Sequence, residues 1–198
     1  MIYFTADLHI GHENIVKYCQ RPFKNAGKMN TILKNVFNDI VKEDDTTYFL
    51  GDLALFSETQ KAALQQVIQN LNGKKKLVLG NHDIMNPFTY QEIGFAGVHT
   101  YLDRYFKWEN NVYHVHLSHD PCVAQVPNSI WICGHVHNIF KASYSKKLNS
   151  VIVNVGVDMW DFKPVSLNEI FELAYMTVQN CKGDWEMIQK NSQFEVEY

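Results

Sequence analysis

Apolar and polar positions along this chain alternate between two rhythms. Short runs of β-branched and aromatic residues at 2–6, 46–50 and 75–79 predict three early strands. Between them, Met29, Ile32, Leu33, Val36, Phe37 and Ile40 recur at helical spacing and predict a helix over 27–41 with one buried stripe. A second helix follows Ser57 and Gln60, whose spacing matches a capping box. Its stripe of Ala63, Leu64, Val67, Ile68 and Leu71 ends near Gly73. The second half is richer in strands. Runs at 100–107 and 112–118 predict a hairpin across 108–111, with further strands near 130–133 and 151–155. Ser166 and Glu169 repeat the capping pattern ahead of Ile170, Phe171, Leu173 and Ala174, which predicts a last helix. From 183 onward the periodicity fades and no element is assigned. Strands interleaved with helices identify a layered α/β fold, and the later excess of strands points to a second sheet. No repeat, low-complexity segment or long linker divides the chain, so 1–198 reads as one domain.

Composition narrows the setting. A chain of 198 residues buries about 70% of its unfolded surface and does not depend on disulfides for stability. Cys19, Cys122, Cys133 and Cys181 are scattered without a Cys-x-x-Cys pair, which argues against a structural zinc site and reads as four free thiols in a reducing compartment. The first residues reach Asp7 before any stretch suited to a secretion signal, and no apolar run approaches the ~20 residues that cross a bilayer. A cytoplasmic location without a membrane partner is expected. The net charge of -3 creates no broad field for nucleic acid, although a local basic groove is compatible with it. Nothing specifies an oligomeric state.

Candidate chemistry concentrates in five short clusters, each at the carboxyl end of a predicted strand, where α/β sheets place their ligand sites. In Asp7-Leu8-His9 an extended chain points both side chains to one side, so an oxygen and a nitrogen ligand can share an ion. Gly51-Asp52 sets a carboxylate after Tyr48-Phe49-Leu50, and alone it reads as a turn. Gly80-Asn81-His82-Asp83 offers an amide oxygen, an imidazole and a carboxylate in succession. His119 ends a strand that Pro121 stops. Gly134-His135-Val136-His137 again spaces two ligands by one residue, and alone it reads as two exposed loop histidines. A purely structural account needs every one of these strand ends to acquire metal-binding side chains independently, which favours one convergent site.

The ordered set Asp-x-His, Gly-Asp, Gly-Asn-His-Asp, His and Gly-His-x-His, running from Asp7 to His137, resembles the calcineurin-like metallophosphoesterase superfamily. Asn154-Val155-Gly156-Val157-Asp158 is similar to its small bacterial and phage members. The resemblance implies an α/β four-layer α-β-β-α sandwich with two central mixed sheets flanked by helices. It implies two divalent metal ions, one held by Asp7, His9 and His137, the other by Asn81, His119 and His135, with Asp52 between them. It also implies hydrolysis of a phosphate ester by metal-activated hydroxide. A small nucleotide-like phosphodiester or phosphomonoester is the favoured substrate; a metal-dependent nuclease and a catalytically silent scaffold of the same fold are the alternatives. Nitrogen and oxygen ligands without thiolate suit manganese, iron, nickel or zinc better than calcium, and the resemblance favours manganese. One departure is informative. Protein phosphatases of the superfamily follow the bridging aspartate with Asp-Arg-Gly, whereas Asp52 precedes Leu53-Ala54-Leu55-Phe56, which disfavours a phosphoprotein substrate.

His82, next to Asn81 but projecting differently, is expected to stabilise the transition state or protonate the leaving oxygen. Asp83 either orients His82 or simply shapes the turn. His12 and Arg21 are candidates for substrate phosphate contact, with a surface salt bridge as the commoner role of an arginine. Asp158, Trp160 and Lys163 either belong to the family-like site or end a strand and cover the core. His114 and His116 alternate on the strand leading to His119. Packing within the sheet is the favoured reading for them, with replacement of His119 as ligand as the alternative. His99 carries no useful signal.

Overall fold

Four parallel strands, β1 (Ile2–Thr5), β2 (Thr46–Phe49), β3 (Lys74–Val78) and β4 (Phe95–His99), form the body of the first sheet. The computed structural model describes residues 1–55 and 58–190. Parallel neighbours need a crossover between them. Helices α1 (Glu13–Tyr18) and α2 (Ala26–Ile40) lead from β1 to β2, α3 (Glu58–Ile68) from β2 to β3, and α4 (Pro87–Glu92) from β3 to β4. The second sheet contains β5 (Leu102–Trp108), β6 (Asn111–Leu117), β7 (Ile130–Cys133), β8 (Ala142–Ser145) and β9 (Ser150–Asn154). The chain then returns to the first sheet as β10 (Val165–Ser166), antiparallel to β1, continues as α5 (Leu167–Asn180), and adds β11 (Gln189–Lys190) to the second sheet. The first sheet has the order β10-β1-β2-β3-β4. In the second, β6 carries β5 along one edge, while β7 and β11 share the other, at Val115–Leu117 and Val112–Tyr113; β9 and β8 follow beyond β7. Both sheets are mixed.

Strand periodicity divides the core into two layers. On β1 and β2, Ile2, Phe4, Tyr48 and Leu50 face the second sheet and meet Phe106, Tyr113, Val115, Ile132 and Val153. Phe4 stacks on Tyr48 with centroids 5.3 Å apart, and Phe106 closes on both rings edge-on. The alternate residues Tyr3, Phe49 and Leu77 face the helices and pack with Met29, Leu33, Phe37, Leu64 and Ile68. Each such side chain contributes about 1.5–3 kcal/mol on full burial. The α2 stripe is narrower than expected, centred on Met29, Leu33 and Phe37, with Ile32 left exposed. Asn25 caps that helix by accepting the Lys28 N–H. Ser166 and Glu169 make the predicted capping box of α5, which packs against β8 and β9, so helices flank both sheets. The predicted Ser57 cap of α3 lies outside the described residues. The hairpin of β5 and β6 turns through Glu109 and Asn110. Among the described residues no helix is long and apolar enough to cross a membrane, and all four cysteines are unpaired.

Candidate metal centre

The carboxyl ends of β1, β2, β3, β6 and β7 converge. Beyond β1 the chain zips onto the segment after β2: Asp7 N–H donates to Gly51 O, His9 N–H to Asp52 O, and Ile10 N–H to Leu53 O. These bonds hold an unusual backbone. Asp7, His9, Asp52, His135 and His137 all have positive φ, from 45° to 71°, a region that non-glycine residues enter rarely and mostly as Asn, Asp or His. Asp7 and His9 therefore do not share a direction by strand alternation, as the extended reading of Asp-x-His supposed. Left-handed turns aim them together instead. The glycines of the motifs serve close approach. A Cβ on Gly80 would lie 2.4 Å from Asp52 Oδ1, and one on Gly156 would lie 2.6 Å from Asp7 Oδ2.

Two clusters result, each with ligand atoms within 4.8 Å of one another: Asp7, His9 and His137 in one, Asp52, His119 and His135 in the other. His135 and His137, one residue apart, thus point into different clusters. Asn81 joins the second through its Oδ1, 3.0 Å from His119 Nε2. Asp52 lies between them, its Oδ2 3.7 Å from His9 Nε2 and 3.4 Å from His119 Nε2. The donor set fits divalent cations, and one observation tests that fit. His9 is 1% exposed, and both of its ring nitrogens are buried without a hydrogen-bond partner. A buried polar group is ordinarily satisfied, and a cation shared with Asp7 and His137 would satisfy this one.

Electrostatics differ between the clusters. Burial pushes the Asp7 carboxyl up to about 6, the nearby His119 and His137 only partly offsetting it. Burial also pushes His9 down to about 3, so one ring nitrogen keeps its lone pair available for a metal. For His119 burial acts downward, but the hydrogen bond and charge of Asp52 outweigh it and raise the imidazole to about 9. Burial likewise acts upward on Asp52, and His119 with the His82 N–H overcomes it, holding Asp52 near about 2. Surrounding groups orient the ligands as metal sites require. His119 Nδ1 donates to Leu50 O at 2.7 Å, and His137 Nδ1 donates to Asp158 Oδ2 at 3.0 Å.

One expected role is corrected, and one left between two readings is resolved. Arg21 does not reach substrate: its side chain has no solvent exposure. The guanidinium donates to both oxygens of Asp158 and to the carbonyls of Asp7 and Leu8, so it braces the first cluster from behind. Asp83 does not orient the His82 ring. Its oxygens accept the backbone N–H groups of Asp52, Leu53 and Gly80 and clamp the left-handed turn at Asp52. Asp158, singled out in the sequence without a role, thus supports His137 and Arg21 together. Trp160 is core, donating its Nε1–H to Asn154 O, and Lys163 faces Asp161 at the surface. His114 and His116 lie on the face of β6 opposite the core and do not replace His119. His82 stands at the mouth with its side chain 42% exposed, its backbone N–H bonded to Asp52 Oδ1. His12 sits beside His9 with ring centroids 5.6 Å apart. Next to the second cluster a cavity of about 400 Å³ runs from Asn81, His119 and His135 to Leu79, Tyr101, Val123 and Trp131.

Two mixed sheets with adjoining imidazole and carboxylate clusters at their strand ends define a metal-binding α/β protein of the phosphoesterase type. The profile of the calcineurin-like phosphoesterase family matches residues 1–121, and the chain belongs to that family, whose members use divalent metal ions. An uncharacterized protein of Methanocaldococcus jannaschii is 35% identical over 178 residues, 87% of this chain and 90% of the relative. The gene 66 protein of Mycobacterium phage L5 is 25% identical, over 87% of this chain and 93% of its own. The crystal structure of a protein of unknown function from Aquifex aeolicus superposes with a TM-score of 0.68 at 25% identity, covering 87% of this chain and 98% of that one.

Proposed function

We propose that this chain hydrolyses a phosphate ester, a small nucleotide-like phosphodiester or phosphomonoester, at a site built for two divalent ions, manganese before iron, nickel or zinc. The observation that carries this reading is the buried, unpartnered His9 ring between two carboxylates in a family of phosphoesterases. Asp7, His9 and His137 would hold one ion and Asn81, His119 and His135 the other, with Asp52 available to both. When bound, such a pair neutralises phosphate charge and activates water for in-line attack.

The remaining work falls to the chain itself. His82 is anchored through its backbone to Asp52 while its ring stays exposed at the mouth. That position suits it to donate a proton to the departing oxygen. His12, whose imidazole burial pushes down from its ordinary value, offers a polar contact to the phosphate. The cavity walled by Tyr101, Trp131, Leu79 and Val123 receives the organic part of the ester, since such pockets combine apolar walls with a few fixed polar groups. This favours a substrate with a flat or apolar group over a bare phosphate.

The test is a metal-supplemented screen of phosphomonoesters, linear dinucleotides, cyclic nucleotides and nucleic acids, with Asp52→Ala as control. Turnover is expected only with transition metal and only in the unaltered chain. Turnover that survives exhaustive chelation, or that persists in the control, would reject the reading. Preference for long nucleic acid would make the enzyme a nuclease.

A further inference from the structure

We propose that Asp103, His114 and His116 form a separate cation site on the second sheet, taking a divalent transition ion such as zinc. The register of the β5 and β6 hairpin creates it. Residues two apart on a strand share a face, so His114 and His116 stand side by side, their ring centroids 4.3 Å apart. Asp103 lies directly across from His116, and its carboxylate meets His114 Nε2. One ligand atom from each of the three residues lies within 4.8 Å of the other two.

The rings are held before any ion arrives. His116 is buried, stacked on Trp131 at 4.5 Å, with its Nδ1 meeting the Tyr101 hydroxyl. His114 stacks on Tyr105 at 4.7 Å with an interplanar angle of 10°. Asp103 is 48% exposed, which leaves a route from solvent and room for water in the ion's coordination shell. Stacking on Tyr105 and Trp131 fixes where the two rings stand, and the hairpin register brings the Asp103 carboxylate to both. One cation can take a ligand atom from each of the three side chains at once. Two imidazoles and one carboxylate match the ligands of zinc and its neighbours. Because Tyr101 also lines the cavity beside His119 and His135, an ion here would sit directly behind that wall.

The site does not depend on the proposed hydrolysis, and its test is metal content. The full chain is stripped with chelator, dialysed against zinc, and its bound metal counted. His114→Gln is expected to remove about one equivalent of zinc in both the unaltered chain and the Asp52→Ala background. Asp103→Asn, at an exposed position with little bearing on folding, is expected to do the same. Equal zinc content with and without these substitutions overturns the proposal, as does a loss in the unaltered chain that vanishes in the Asp52→Ala background, since that ion would belong to the other centre. Anomalous diffraction at the zinc edge supplies the second measurement. A peak about 2.0–2.2 Å from the three side chains is expected at saturating zinc, and its absence overturns the site even where the variants fold poorly.

Discussion

The two clusters of the candidate metal centre use the same residue types and meet at one carboxylate, yet they reach electrical balance differently. Asp7 and His9 are almost completely buried, and His9 has no partner for either nitrogen. Burial drives both toward neutrality, the carboxyl up and the imidazole down. His119 and Asp52 instead lie 3.4 Å apart, and each holds the other toward its charged form, the imidazole raised and the carboxyl lowered. The second cluster also opens to solvent through His135 and Asn81, which are exposed. The contrast teaches that one cluster leaves a buried imidazole without a hydrogen-bond partner, while in the other a histidine and a carboxylate offset each other's burial.

Removing what the clusters share should have the largest effect. Asp52→Ala is expected to lower turnover by at least about 10³-fold and to weaken both ions, because it deletes a ligand from each side. Calorimetric metal titration that finds one cluster at full affinity would show that Asp52 serves only the other. His82→Ala comes next, with a loss of about 10²-fold, the lower range for a general acid. Metal content should stay at two, and a variant losing an ion instead would make His82 a ligand.

Asp158→Asn sharpens the comparison, because Asp158 supports His137 but nothing in the second cluster. Affinity should fall about 10- to 100-fold at the first cluster alone, as expected for a group that orients a ligand. Equal weakening of both ions would mean that Asp158 and Arg21 brace the centre as a unit.

The smallest effect is on the pH dependence of the metal-free chain. The folded Asp7 carboxyl sits above its unfolded value, so its contribution to stability is lost as pH rises from about 3.8 through about 6. The folded His9 sits below its unfolded value, so its contribution grows from about 3 to about 6.5 and largely cancels that loss. His119 has no such counterweight. Its stabilisation is complete below about 6.5 and disappears as pH climbs through about 9. Thermal unfolding of the metal-free chain should therefore move to lower temperature between those values, and Asp52→Asn should flatten the change. A steep change confined to pH 4–6 would instead make the buried cluster the sensitive one.

Much of the fold was legible as periodicity. The strands at 46–50, 112–118 and 130–133 and the helix after Ser166 coincide with β2, β6, β7 and α5 to within about two residues, the ordinary ambiguity of element ends. The elements without a predicted counterpart, α1, α4, β4, β8, β10 and β11, are all short. Gly94 and Gly97 break the pattern around β4, and in β8 only Ala142 and Tyr144 pack against the core, alternating with serines. Such segments take their conformation from a neighbouring strand rather than from an apolar rhythm of their own. In the candidate centre, residue types and motif spacing picked out the side chains that converge, but misplaced Arg21 and left Asp83 between two roles. Both have the chemistry of a substrate contact and an acid, and only their burial against backbone carbonyls and N–H groups shows otherwise.

By itself, then, the sequence determined the longer strands and helices, which residues gather at their carboxyl ends and which chemistry those residues can support. Hydrophobic period and donor type are local properties that survive in the unfolded chain. The tertiary structure alone decided that left-handed turns rather than strand alternation aim Asp7 and His9 together, that His9 is left without a hydrogen-bond partner, and that Asp103 meets His114 and His116 across a hairpin. Each depends on the sign of a φ angle, the burial of a ring or the register of two strands. Those quantities arise only when distant segments pack together and exclude water.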